Sequence, residues 1–296
     1  MNEIFDKLLI RVLFTIFICV GLLLYKYAHV LFYPSQKKQI FKKVYPSENY
    51  VDTMHIFSRL IGIALIFSTL EFNEHIGFVK SALDFFILGA SGIVLYLLSL
   101  YILDNIVFYN FEYKDEVLKK KNAAYGVVSF SLSICLAFLV RTIFQESERS
   151  LIILIILWLF VLVLFGFSTK LYQYVSKLPF NSLMIQKNLG LSFSYSGFLF
   201  GSALIIMAAF HHEHHDLASY SVQVILKTLL GILIFPIFRK GVIYVFQIKE
   251  GPQTGEQTEI PHLGYGVYEG SVFLMCALLT SIIIGQIHFG TIYPFF

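Results

Sequence analysis

The sequence predicts an all-α, polytopic membrane protein: eight transmembrane helices arranged as four parallel repeats of one helical hairpin. Three observations predict this fold class. Hydrophobic residues make up 57% of the chain and charged residues 14%, whereas soluble domains carry roughly a quarter charged residues. Apolar runs near 20 residues, each long enough to cross about 30 Å of hydrocarbon, recur along the whole sequence. In every second run, small residues return at matched positions. The runs fill the 296 residues and leave no stretch for a separate soluble domain, so 1–296 reads as a single transmembrane domain.

The first run, 9–32, follows MNEIFDK. An acidic start without a small-residue cleavage site reads as a retained span rather than a removable signal peptide. Further runs lie near 55–72, 82–103, 123–144, 151–173, 189–210, 219–246 and 263–286. Runs this continuous are helices rather than barrel strands, since lipid demands that every backbone group be satisfied internally. Connections at 33–54, 104–122, 174–188 and 247–262 are long and Lys-rich, while those at 73–80, 145–150 and 211–218 are short. Fifteen Lys and Arg fall on the long-loop side and six on the other, Arg59 being the remaining one of 22. The positive-inside rule then places the long loops in the cytoplasm and both termini outside.

The repeat emerges when the even-numbered spans are aligned from Asn49, Asn122, Asn188 and His262. Four residues on stand Thr53, Gly126, Ser192 and Gly266; nine on, Ser58, Ser131, Gly197 and Ser271; fifteen on, Ala64, Ala137, Ala203 and Ala277. Each unit is thus odd span, Lys-rich linker and even span, over about 9–72, 82–144, 151–210 and 219–286. Two spans per unit make the repeats parallel rather than inverted. Small residues allow helices to approach closely, and Gly197 with Gly201 forms a Gly-x-x-x-Gly step echoed by Ser58 with Gly62 and by Ser131 with Cys135. The even helices should form the packed inner layer, and the bulkier odd helices an outer shell against lipid.

EYKDEVLKKKNAAYGVVSFSLSICLAF and FNSLMIQKNLGLSFSYSGFLFGSALII resemble the repeat of the YjfL-like bacterial membrane family, catalogued as domain of unknown function 350. In that family a short amphipathic cytoplasmic segment leads through a basic residue and Asn into a small-residue-rich helix. Lys121-Asn122 and Lys187-Asn188 match; Glu48-Asn49 lacks the basic residue and Pro261-His262 lacks the Asn. The resemblance implies a bacterial inner-membrane protein without an established activity, associated with envelope stress and membrane scaffolds. It carries over no catalytic residues.

Three constellations stand outside the repeat. Arg59 lies ten residues into span two and Glu269 seven into span eight, about 15 and 10 Å deep at 1.5 Å per residue. Deep charges are costly unless paired or hydrated, and mark a pathway or structural clasp. If the four units close into a ring, Arg59 and Glu269 can pair, with His55, His262, Tyr195 and Ser129 extending a polar path. The loop after span six reads His211-His212-Glu213-His214-His215-Asp216. Imidazole and carboxylate suit a divalent metal such as zinc, and His75 or His288 is expected on the same side; the alternative is a hydrated His-rich turn. Linkers such as QKKQIFKKVYP mix Lys with Phe and Tyr, suiting segments that lie against anionic lipid.

Cys19, Cys135 and Cys276 sit inside apolar runs, where cysteine behaves as a small hydrophobe. Basic residues dispersed between spans argue against nucleic acid as partner. No phosphate-cradling Gly loop, Ser-His-Asp order or EF-hand pattern is visible. The absence of a reaction-specific motif and the family resemblance together favour a non-enzymatic scaffold or subunit of an envelope assembly, in the bilayer and in an oligomer with itself or with a membrane-associated scaffold protein. The alternatives are a small-cation channel or transporter using Arg59 and Glu269, and a His-cluster metalloprotein.

Overall fold

The computed structural model describes residues 2–34, 37–41, 48–70, 77–147, 150–176, 178–211, 217–247, 262–287 and 289. Its helices are α1 (Asn2–Phe32), α2 (Lys37–Ile40), α3 (Tyr50–Phe67), α4 (Phe78–Val107), α5 (Ala123–Glu146), α6 (Leu151–Ser176), α7 (Phe180–Ile185), α8 (Leu189–Phe210), α9 (Leu217–Val245) and α10 (Leu263–Gln286). A π-helical turn at Lys114–Lys119 precedes α5. Eight of these helices, all but α2 and α7, are long and apolar enough to cross a membrane. The chain is a multi-pass membrane protein of four hairpins.

Helix starts follow from capping chemistry. Asn49 Oδ1 accepts from the Asp52 amide, Asn122 Oδ1 from Ala124 and Tyr125, and Asn188 Oδ1 from Leu191, so each satisfies otherwise orphaned N-terminal donors. His262 holds the same place at α10 without a side-chain cap bond. These are the four residues from which the repeat was aligned. Asn49 starts α3 at Tyr50, well before the apolar run at 55, and Ser68 and Thr69 end it by bonding back to Leu65 and Ile66 carbonyls.

The even helices form an inner row in the order α3, α5, α8, α10. Outer helices bridge them: α4 rests on α3 and α5, α6 on α5 and α8, and α9 on α8 and α10. The inner interfaces share one register, counted from the capping residue. Position two meets position four of the next helix, at Val51 with Gly126 and Gly190 with Gly266. Six meets seven at His55 with Ser129 and Ser194 with Glu269. Nine meets eight at Ser131 with Ser196 and Gly197 with Gly270. The row continues in one direction, so among the described residues α3 and α10 lie at opposite ends and the ring on which an Arg59–Glu269 pair depended does not form.

The Lys-Asn pairs clasp successive repeats. Asn49 Nδ2 donates to the Val117 carbonyl of the next linker, and Asn122 Nδ2 to the Met184 carbonyl of the one after. In return Lys121 Nζ donates to the Glu48 carbonyl and Lys187 Nζ to the Lys120 carbonyl. The departures now have a reason. Among the described residues, Glu48 faces no further linker that a lysine there could reach, and His262 none that could receive an asparagine amide.

Close approach of α8 and α10 depends on glycine. A methyl on Gly266 would lie 1.9 Å from the Gly190 carbonyl oxygen, and one on Gly197 2.2 Å from that of Gly270. We expect Gly266→Ala to lower stability in detergent by about 1–3 kcal/mol through overpacking. Gly241→Ala, with open space around it, should leave thermal unfolding unchanged.

Candidate functional site

Arg59 and Glu269 are both buried and both paired, though not with each other. Arg59 Nη2 donates to Asp104 Oδ2 at 3.1 Å, and its Nη1 donates to the His55 carbonyl at 2.9 Å. The phenol of Tyr33, at the end of α1, donates to the same Asp104 oxygen at 3.0 Å. Burial, reinforced by the Asp104 carboxylate, holds the Tyr33 phenol well above its ordinary range, so it stays a donor.

Around this pair lie Ser129, whose Oγ is 3.0 Å from His55 Nδ1, and Tyr113, whose ring sits 4.6 Å from the His55 ring and whose hydroxyl donates to Asp52. Burial, then the Asp52 carboxylate, raises the Tyr113 phenol in the same way. Four buried atoms here, Tyr25 Oη, His55 Nε2, Arg59 Nε and Asp104 Oδ1, have no hydrogen-bond partner among the described residues.

At the other end of the row, Glu269 Oε1 accepts from Arg239 Nη2 at 3.1 Å and its Oε2 from Ser194 Oγ at 2.6 Å. Ser194 Oγ also lies 2.8 Å from the Tyr172 hydroxyl. Tyr172 occupies in α6 the place that Tyr33 occupies after α1, and Ser194 and Glu269 match His55 and Ser129. Each half thus holds a buried Arg–carboxylate pair beside an equivalent tyrosine, with the charges on different helices: α3 and α4 in one half, α9 and α10 in the other.

The remaining candidates separate. Tyr195 is buried, its hydroxyl 3.5 Å from the Thr169 carbonyl, whereas His262 is an exposed cap. Neither adjoins Arg59 in a path. Ser58 bonds within its own helix to the His55 carbonyl, and Gly62 gives way to the Tyr96 hydroxyl of α4 rather than to an inner helix. Ser131, Gly197 and Gly201 do pack between inner helices, but Ser271 is exposed. His211 is exposed, 3.3 Å from Glu146 Oε1. His212, Glu213, His214, His215 and Asp216, with His75 and His288, lie outside the described residues. Among the described residues no group of three His, Cys, Asp or Glu is placed to hold a metal.

Sequence reasoning missed Asp104 and Arg239: Arg239 counts there as a topology charge, and Asp104 falls at the start of the linker 104–122. A signal was present: Arg239 falls inside the run 219–246, and Asp104 interrupts LYILDNIVF. It also passed over Lys227, buried in α9 with no hydrogen-bond partner for its Nζ among the described residues. Two cavities stand out, an apolar one bounded by Leu171, Phe198, Ile205 and Phe235 and a more polar one beside Tyr172, Tyr195 and Lys170. Each is about 30 Å³, room for about one or two waters.

The family model described as Domain of Unknown Function (DUF350) matches residues 4–144 and again 147–284, and the chain belongs to that family. Each matched copy comprises two hairpins, and their boundary falls at the C-terminal end of α5. No curated protein and no solved structure matches it.

Removing one member of a buried pair strands the other, at a cost of about 3–5 kcal/mol. We expect Arg59→Met to lower stability by that order, and Arg59→Met/Asp104→Leu to recover most of it, in equilibrium unfolding of the purified protein. Failure of the double variant to recover would separate Arg59 from Asp104 energetically.

Proposed function

We propose that this member of the family is a non-enzymatic module of the bacterial cytoplasmic membrane, acting as a scaffold or subunit of a larger assembly. Its Lys-rich linkers face the cytoplasm and both termini the outside, by the positive-inside rule. One observation carries the reading: Asp104 and Glu269 are each neutralised by an arginine of the same chain, beside an inner row in which α8 and α10 meet backbone to backbone. A conduction pathway would need polar groups free to exchange partners along a continuous route. Here Arg59 and Glu269 stand at opposite ends of the row, with α5 and α8 between them.

A second reading, a route for a small cation or proton, draws on the buried polar atoms that gather near Arg59 in the N-terminal half. Buried groups of this kind are ordinarily served by water, and His55, Asp52 and Tyr113 could pass protons among themselves. The route would then run through one half, past Asp104, rather than between Arg59 and Glu269.

Reconstitution in proteoliposomes distinguishes the two readings. The scaffold reading expects ion flux no greater than in protein-free vesicles under gradients of H⁺, Na⁺, K⁺ and Mg²⁺, for the wild type and for Asp104→Asn and Glu269→Gln alike. Flux that either substitution abolishes would establish transport instead.

A further inference from the structure

The inner row is open at both ends, and its two ends match. α8 presents positions two, six, nine and thirteen to the helix that follows it, at Gly190, Ser194, Gly197 and Gly201. On α10 these positions are Gly264, Tyr268, Ser271 and Met275. Among the described residues no helix packs on this face of α10, and Gly264, Ser271 and Met275 are exposed, as are Leu278 and Ile282 beyond them. Nothing lies within 4 Å of a methyl built on Gly264 or on Gly285.

The complementary face of each helix, which receives the one before it, uses positions four, seven or eight, eleven and fifteen. On α10 these are Gly266, Glu269, Gly270, Phe273 and Ala277, all buried against α8. On α3 they are Thr53, Ile56, Phe57, Leu60 and Ala64, with Phe57 and Ala64 exposed and the others half-buried.

Lipid is the ordinary cover for an apolar helix face, but two features point elsewhere. The α10 face keeps small residues, Gly264 and Ser271, at the depths where α8 uses Gly190 and Gly197 to admit a neighbouring backbone. Lipid-facing helices have no need of such a groove, whereas helix–helix contacts do. The outer layer shows the same omission. Every other outer helix bridges two inner ones, but α1 packs chiefly on α4 and only lightly on α3, and it is the least buried of the eight spans. Among the described residues, no further inner helix packs on α3 to support α1.

We propose that a second copy of this chain supplies such a helix, with α10 of one copy packing against α3 and α1 of the next in the register of the internal repeat. The contact joins two different faces, so it propagates head to tail, as rings where the rotation closes and as rows where it does not. Phe57 stands where the α3–α5 interface has Phe130 and the tighter ones have Ser196 and Gly270, and neither Glu48 nor His262 can form the Lys-Asn clasp. The junction between copies is therefore wider than those of α5 with α8 and α8 with α10, and weaker than the clasped ones. The inference deepens the scaffold reading and rests on it, yet the two fail separately, since ion flux would remove that reading without touching the contact.

Cysteine cross-linking in native membranes tests it, using the full chain with Cys19, Cys135 and Cys276 replaced by Ala. Co-expressed, differently tagged Ser271→Cys and Phe57→Cys copies should form a mixed dimer on oxidation, while either alone should not. Ser271→Cys with Ala64→Cys, shifted by about 10 Å along the helix, should cross-link at least tenfold less. Dimers of Ser271→Cys with itself would indicate a two-fold interface and overturn the proposal, as would equal yield from the shifted pair. Should the cysteine-free chain fail to fold, native mass spectrometry of the wild type from lipid nanodiscs decides: oligomers that Ser271→Trp reduces to monomers are expected, and a monomeric wild type overturns the proposal.

Discussion

Contact between the backbones of α8 and α10, at Gly190 with Gly266 and Gly197 with Gly270, sets the terms for the rest of the molecule. In hydrocarbon there is no hydrophobic force to drive one helix against another, so association relies on dispersion contact, hydrogen bonds and the loss of side-chain bulk. Glycine at matched depths lets two helices meet along a line. Once that line is fixed, positions six and seven come within reach, and Ser194 can serve Glu269 while His55 meets Ser129. The polar links are consequences of the packing register and in turn hold it in place.

The two halves meet the same electrostatic demand by different substitutions. A buried arginine needs a carboxylate, and the pair needs its remaining lone pairs and protons occupied. In the N-terminal half Tyr33 and the His55 carbonyl serve Asp104 and Arg59, leaving Arg59 Nε and Asp104 Oδ1 without a hydrogen-bond partner among the described residues; in the C-terminal half Ser194 serves Glu269, with Tyr172 behind it and Arg239 lying over the Phe273 ring. The tyrosine stays at one place in the repeat while the acid moves from an outer to an inner helix. Balanced charge is common to both halves, whereas the seat of the charge is not.

Much of this was legible in the residues. Spans, hairpin repeats and the aligned caps follow from local chemistry: hydropathy over about 20 residues, an asparagine that prefers to cap, and small residues returning at fixed intervals. Partner choice was not legible, because it depends on rotation about helix axes. Arg59 and Glu269 lie at similar depths, which permits a pair, but the row does not close and each finds a nearer partner in its own half. Gly62 reads as an inner contact by spacing alone, yet a tyrosine of α4 fills the space beside it. Ser271 follows the small-residue pattern of a packed helix and is exposed, since among the described residues no helix packs on that face of α10.

Lys121 and Lys187 hold φ of 48° and 57°, a left-handed conformation in which glycine is the easy choice. A lysine there accepts backbone discomfort for the sake of a long arm that reaches the preceding linker. Mechanically, the linkers of the first three units are coupled in series along one face of the membrane. A pull on one is felt by the next through two short hydrogen bonds rather than through the hydrocarbon core. Arginine would keep the arm and glycine only the turn, so replacement by glycine, the gentler change for the backbone, is the one that uncouples the face.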